Sequence, residues 1–229
     1  MSKRQLQSLL GKLLYVSKVV KPARGFLNRM LDCLRSMGDD TTLLVNGEFR
    51  KDLAWFRSFL SAFNGITTFT NWAGDCDIEV HVDASLMGLG AIWDKVFYSV
   101  PLPLFVKCQE RIVVFEMLNI LVAFRVWGKC WSNKRVRIWC DNRAVVDIMG
   151  KGQTKDGELA AILREILMIQ ACHNIQLVVE HVMGESNPVA DALSRVHMAK
   201  STVCKRMLLS TGCKESRVDN QAFILNLEL

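Results

Sequence analysis

Residues 109–128 read as one helix with almost no polar face: Ile112, Val113, Val114, Phe115, Met117, Leu118, Ile120, Leu121, Val122 and Phe124 occupy positions all round it. A helix that is apolar on every side must be buried on every side. Glu116 nevertheless sits near its middle, and an ionised carboxylate in apolar surroundings is costly unless something compensates it. The fold must therefore wrap this helix and deliver a compensator to Glu116. Three more isolated acids stand beside apolar runs: Asp83 in Val80-His81-Val82-Asp83-Ala84-Ser85, Asp141 in Ile138-Trp139-Cys140-Asp141-Asn142, and Asp191 in Pro188-Val189-Ala190-Asp191-Ala192-Leu193. Four such acids point to one shared compensator, and divalent cations are the natural kind.

Taken singly, three of the acids have plainer explanations. Asp83 also suits an exposed strand position beside a turn. Asp141 suits a helix N-cap. Asp191 falls in the first turn of a helix, where the dipole favours an acid. Glu116 is the hardest to place elsewhere, because a solvated glutamate needs a polar face.

The hydrophobic period divides the chain. Before residue 64 it is helical. Ser2-Lys3-Arg4-Gln5 forms a capping box ahead of Leu6, Leu9, Leu10, Leu13 and Leu14. Pro22 opens a second helix with Leu27, Met30, Leu31 and Leu34 as its stripe, and Gly38 stops it. Asn46 caps a third with Phe49, Leu53, Phe56, Leu60 and Phe63 on one face, ended by Asn64-Gly65. From residue 76 the period becomes that of strands. Ile78–Ala84, Gly88–Trp93 and Phe97–Leu102 form a meander. After the buried helix come a strand at Val136–Cys140, a short helix at 142–149, a polar loop at 151–157, a helix at 158–172, a strand at Ile175–Val182 and a last helix at 188–198. The order is βββαβαβα. Residues 199–229 carry too little pattern to assign.

Half of the 229 residues are hydrophobic, enough for one good core or a core with a small helical domain. No apolar run reaches the roughly 18–20 residues of a membrane span. The eight cysteines show no Cys-x-x-Cys spacing, which argues against a zinc site, and most sit in apolar segments as small buried hydrophobes. The N-terminal residues show no signal-peptide pattern, so the expected setting is intracellular, in cytoplasm or nucleus, with reduced thiols. The net charge of +6 is uneven: +6 over residues 1–63, −2 over 64–198 and +2 over 199–229. A basic arm beside a slightly acidic core suits a protein that grips phosphate with one part and holds metal with another, although solvated helix faces give the same count.

The order Asp83, Glu116, Asp141, Asp191 now gains weight from its surroundings. Cys140-Asp141-Asn142 follows a strand, and the chain ends its patterned part with Asn187-x-x-x-Asp191-Ala192-Leu193-Ser194-Arg195. Together these resemble the ribonuclease H domain of retrotransposon reverse transcriptases. Leu10-Gly11-Lys12-Leu13, Arg24-Gly25-Phe26-Leu27 and Asp52-Leu53-Ala54-Trp55-Phe56, with Phe63-Asn64-Gly65, resemble the segment after the polymerase palm in DIRS-like (tyrosine-recombinase) elements, with gypsy-like elements second. The resemblance covers about residues 5–198.

It implies an α/β, ribonuclease H-like fold: a mixed five-stranded sheet flanked by helices (75–198), preceded by a small thumb-like helical segment (1–70), with a tail of unknown role (199–229). It implies hydrolysis of the RNA strand of RNA–DNA hybrids with two Mg²⁺ or Mn²⁺ ions. Asp83, Glu116, Asp141 and Asp191 become the catalytic acids and metal ligands. Ser85, Asn142 and Asn187 become substrate-binding residues, with Asn187 also resembling the residue that pins the loop before the last acid. The partners would be the hybrid and a polymerase domain absent from this chain, with no membrane. A connection-type module without catalysis is the alternative, but such modules have lost the acids. His181 departs from the cellular and retroviral pattern, since it lies on the strand side of a short loop, which puts a histidine-assisted product release in doubt. Met37-Gly38-Asp39-Asp40 imitates a polymerase motif without the palm it needs, and reads as a solvated turn. Trp93, Trp127, Trp131 and Trp139 could stack on bases but are spaced for core packing.

Overall fold

The computed structural model describes residues 1–39, 41–62, 75–104 and 111–225. The expected helix stop at Asn64-Gly65, Phe63, Cys108 and the first residues of the helix begun at 109 lie outside them.

Six strands form one sheet: Ile78–Ala84 (β1), Gly88–Trp93 (β2), Val96–Pro101 (β3), Arg135–Cys140 (β4), Gln176–His181 (β5) and Lys214–Glu215 (β6), in the order β5-β4-β1-β2-β3-β6. β1, β2 and β3 pair antiparallel as a meander, while β4 runs parallel to both β1 and β5. The strand bearing the first acid thus lies beside the strand preceding the third, as the ribonuclease H-like order requires. The sheet has one strand more than expected. β6 is two residues long and pairs parallel with β3, too short to leave a period in the sequence.

The helices are Lys3–Val19 (α1), Leu27–Ser36 (α2, after a 3₁₀ turn at Lys21–Phe26), Gly47–Ala62 (α3), Ile112–Trp127 (α4), Arg143–Lys151 (α5), Gly157–Cys172 (α6), Pro188–Ser194 (α7) and Ala199–Ser210 (α8). Every residue of α4 from Val114 to Phe124 is buried, as its apolar circumference demands. Alternation along β3 shows which helix covers which face. Tyr98 reaches back to Asn119 on α4, whereas its neighbour Ser99 donates to the Leu193 carbonyl on α7. Adjacent strand residues point to opposite faces, so α4 and α7 sandwich the sheet.

α7 lies very close to β2, and two glycines make that approach possible. A β-carbon on Gly90 would fall 2.6 Å from Leu193 Cβ and 2.7 Å from the Ala190 carbonyl, and one on Gly88 2.8 Å from the Ser194 carbonyl. The helix stops at Ser194, short of residue 198, because the Ser194 hydroxyl turns to Asp83 and the Asp191 carbonyl and Arg195 leaves helical geometry. The stretch from 199 is structured: α8 packs on α7, and Phe223 is buried beneath backbone carbonyls held by Arg125.

The first three helices form a small aromatic core, with Phe26 stacked on Trp55 at 4.1 Å and Trp55 on Phe59 at 5.2 Å. The inward face of α3 differs from the expected stripe. Phe49, Asp52, Trp55, Phe56 and Phe59 are buried, while Leu60 is exposed. The face rotates because Asp52 turns inward to a buried ion pair with Arg164 of α6, at 3.0 Å, and Trp55 donates to the Arg164 carbonyl. Likewise Leu14 is exposed while Leu6, Leu10 and Leu13 are buried. Asp39 of the polymerase-like tetrapeptide is solvated and meets only Lys3.

Two further expectations are corrected. Among the described cysteines only Cys140 is buried, because the others lie at helix ends or on half-open faces. Trp127 and Trp131 are core residues, but Trp139 is half-buried, stacked on His81 with Arg137 over its ring. Among the described residues no helix is long and apolar enough to cross a membrane.

Candidate active site

The end of the sheet where β1 and β4 both stop gathers the acids. Asp83 is the penultimate residue of β1, and Asp141 follows β4 directly. Glu116 comes from the first half of α4 on one face, and Asp191 from the short α7 on the other. Glu116 reaches round the sheet end: its Oε1 accepts from the Ala84 amide at 3.1 Å, and its Oε2 accepts from the Cys140 thiol at 3.7 Å. Ligand atoms of Glu116, Cys140 and Asp141 all lie within 4.8 Å of one another. Across the loop after β5, Gly184 comes so close that a β-carbon there would sit 3.4 Å from Asp141 Oδ2.

Asp83 is only 6% exposed and Glu116 2%. Burial, reinforced by the charges of Asp141 and Asp191, pushes the Asp83 carboxyl up to about 6, although the Ser194 hydroxyl donates to its Oδ2. Burial and then the charges of Asp83 and Asp141 push Glu116 well above the usual carboxylate range. Among the described residues none of these three acids forms an ion pair with a cationic side chain. The cluster is a buried excess of negative charge, the condition expected where a cation completes a site.

Its donors suit a hard ion. Carboxylate oxygens are what Mg²⁺ and Mn²⁺ take. Cys140 is not a competing soft ligand: burial, followed by the Glu116 charge, pushes its thiol up, so it stays protonated and acts as a donor.

Asp191 is differently placed. Both its oxygens meet cations, Arg195 Nε at 2.6 Å and Lys200 Nζ at 2.7 Å. Burial raises its carboxyl, but the hydrogen bonds from Lys200 and Arg195 outweigh that and leave it below the usual range. Its charge still reaches Asp83.

The other expected residues serve the framework. Asn187 is buried; its Nδ2 donates to the Val82 carbonyl at 2.9 Å and its Oδ1 meets His81 Nδ1 at 3.2 Å, tying the loop before α7 to β1. The Ser85 hydroxyl closes the β1–β2 turn, accepting from the Met87 and Gly88 amides and donating to the Ser194 carbonyl. Asn142 caps α5, its Oδ1 accepting from the Ala144 and Val145 amides. His181 ends β5 opposite Cys140. Ser194, the Cys140 donor and Lys200 carried no role in the sequence reading. Ser194 lay inside the diagnostic motif; Lys200 lay where no pattern pointed.

No protein-family model matches the chain, and no curated protein matches it significantly. Among solved structures it is similar to RNase H1 from the halophilic archaeon Halobacterium salinarum NRC-1, at 14% identity and a TM-score of 0.41, over 51% of this chain and 92% of that one. It is also similar to the N-terminal RNase H domain of Rv2228c from Mycobacterium tuberculosis, at 13% identity and a TM-score of 0.38, over 60% of this chain and 100% of that one. Likeness at that level is an outline only.

Proposed function

We propose that this chain is a metal-dependent endonuclease that hydrolyses the RNA strand of RNA–DNA hybrids, as part of a retrotransposon reverse transcriptase of the DIRS-like kind, acting inside the cell beside a polymerase domain. The observation that carries the reading is the meeting of buried Asp83 and Glu116 with half-buried Asp141 at one sheet end, with no ion pair to a cationic side chain among the described residues and with Asp191 in electrostatic reach.

In this reading Asp83, Glu116, Asp141 and Asp191 would hold two Mg²⁺ or Mn²⁺ ions, with Asp191 completing the second site. Two such ions would supply an activated water and a stabilised leaving oxygen. The chain's own contribution is to aim the ligands. The Ala84 amide and the Cys140 thiol fix both oxygens of Glu116. Asp141 stands just before the N-terminus of the nine-residue α5, whose dipole favours its charge. Ser194 orients Asp83, and Asn187 seats the loop that brings in α7. The basic helices α1–α3 supply phosphate affinity.

One observation favours a second reading, a hybrid-binding module without catalysis: both oxygens of Asp191 are already neutralised by Arg195 and Lys200. The two readings separate in one assay. Labelled RNA–DNA hybrid is incubated with the wild-type chain and with Asp141→Asn, with Mg²⁺, with Mn²⁺ and with EDTA. Metal-dependent RNA cleavage that Asp141→Asn abolishes is expected. Binding without cleavage in either metal would establish the second reading.

A further inference from the structure

A polar network on α4, one turn beyond Glu116, bears on how Asp83 is aimed. Asn119 is fully buried, and each of its side-chain groups is engaged. Its Nδ2 donates to the Asp83 carbonyl at 2.8 Å and to the Gly90 carbonyl at 3.0 Å. Its Oδ1 accepts from the Tyr98 hydroxyl at 2.7 Å, and Tyr98 is itself fully buried. Both carbonyls can only accept, so the amide has one possible orientation, and the tyrosine enforces it.

Residues three apart on a helix share a face. Glu116 and Asn119 use that spacing to grip one peptide group from both sides. Glu116 takes the Ala84 N–H, and Asn119 gives to the Asp83 C=O, which belong to the same planar unit. This is the point where β1 loses β4, its neighbour on one side, while its pairing with β2 runs on to Ala84 and Leu89. The β1–β4 ladder ends at His81 and Trp139, two residues before Asp83. From there side chains add to the β2 ladder: Asn187 holds Val82 O, Asn119 holds Asp83 O and Glu116 holds Ala84 N.

We infer that Asn119, locked by Tyr98, is a positioning residue for Asp83: it and Glu116 clamp the 83–84 peptide and so fix the direction in which the Asp83 carboxylate leaves the strand. The inference rests on the proposed role of Asp83 as a metal ligand. Without the clamp the 83–84 peptide keeps its β2 pairing but loses its side-chain holds, and the carboxylate samples directions that cannot share an ion with Asp141. A purely architectural network would stabilise the chain and leave the ion indifferent to it.

The test measures Mn²⁺ binding by calorimetry and electron paramagnetic resonance, and hybrid cleavage, on the full chain at a temperature well below each variant's melting point. The variants are Asn119→Leu, Tyr98→Phe and Asp83→Asn. Partners that orient a metal ligand typically contribute 10–100-fold to metal affinity. Asn119→Leu is expected to lose Mn²⁺ affinity by roughly that factor, and Tyr98→Phe by less. In both, kcat at low Mn²⁺ falls with little change in KM for hybrid, and added Mn²⁺ restores it. Should Asn119→Leu fail to fold, Tyr98→Phe, which removes a single hydroxyl, decides the matter. Lower melting points in EDTA with wild-type Mn²⁺ affinity would overturn the positioning role while leaving Asp83 a ligand. Wild-type Mn²⁺ affinity in Asp83→Asn would overturn the metal reading itself, and the clamp's purpose with it.

Discussion

Asp83→Asn is expected to make the metal-free protein more stable at neutral pH and less stable with metal. Burial, then the facing charges of Asp141 and Asp191, push the Asp83 carboxyl up to about 6 in the folded chain, against 3.8 for a free aspartate. Below pH 3.8 both states carry the proton and the residue favours neither. Between 3.8 and 6 the unfolded chain ionises first, so stability is lost as pH rises, and above 6 the loss is complete. A gap of about 2.2 pKa units corresponds to about 3 kcal/mol at 1.36 kcal/mol per unit. Asparagine keeps the volume and an acceptor for the Ser194 hydroxyl but cannot ionise. In EDTA, the stability of the variant relative to wild type should therefore grow by about 3 kcal/mol from pH 3 to pH 7.5, or roughly 6–12 °C in melting temperature for a chain of this length. Millimolar Mn²⁺ should invert the order by stabilising wild type alone, since a ligand that binds only the folded state adds stability by mass action. Urea titrations at several pH values, with EDTA and with Mn²⁺, make the measurement. A variant–wild-type difference that stays flat with pH would refute the buried, like-charged environment assigned to Asp83.

Gly90→Ala should lift α7 from β2, costing about 1–3 kcal/mol from overpacking and weakening Mn²⁺ binding; thermal melts and metal titration read both. Asp52→Ala removes the buried carboxylate that pairs with Arg164 and Arg29 and should cost up to about 3–5 kcal/mol, seen by denaturation as early loss of the α1–α3 aromatic core. Replacing the exposed Lys12, Lys18 and Arg24 by glutamine should weaken hybrid binding and make it less salt-sensitive, by up to about 0.9 in log–log slope per lost phosphate contact on a duplex, with cleavage at saturating substrate unchanged. Equal slopes in filter-binding titrations would remove the helical segment from the hybrid interface.

The sheet and the burial of α4 were legible because both rest on period: alternation in β1–β3, and an apolar circumference around Glu116. The meeting of Asp83, Glu116 and Asp141 was implied by the resemblance; Asp83 and Asp141 stand at strand ends, while Glu116 comes from within α4. Illegible features depended on pairs distant in sequence. Asp52 looks like a surface acid until Arg164, over a hundred residues away, turns it inward. Asn119 looks like a polar break in an apolar helix until Asp83, Gly90 and Tyr98 surround it. The cations on Asp191 could not be anticipated, since Lys200 sits in a helix with almost no apolar stripe. The end of α7 at Ser194 was missed because its cause is a tertiary hydrogen bond to Asp83.

The far side of the sheet has its own consequence. β3 is an outer strand, and an unpaired strand edge is a template for pairing with another chain. Three devices blunt it here. β6 covers its first two residues, the Lys205 ammonium bonds the Ser99 carbonyl further along, and Pro101 ends it. All but the proline come from the stretch after α7. Shortening the chain at Ser210 would leave the acids untouched yet strip β6 and the buried Phe223 from this margin. Such a protein should associate edge to edge through β3, so the segment that looks dispensable in sequence is what keeps one sheet from joining another.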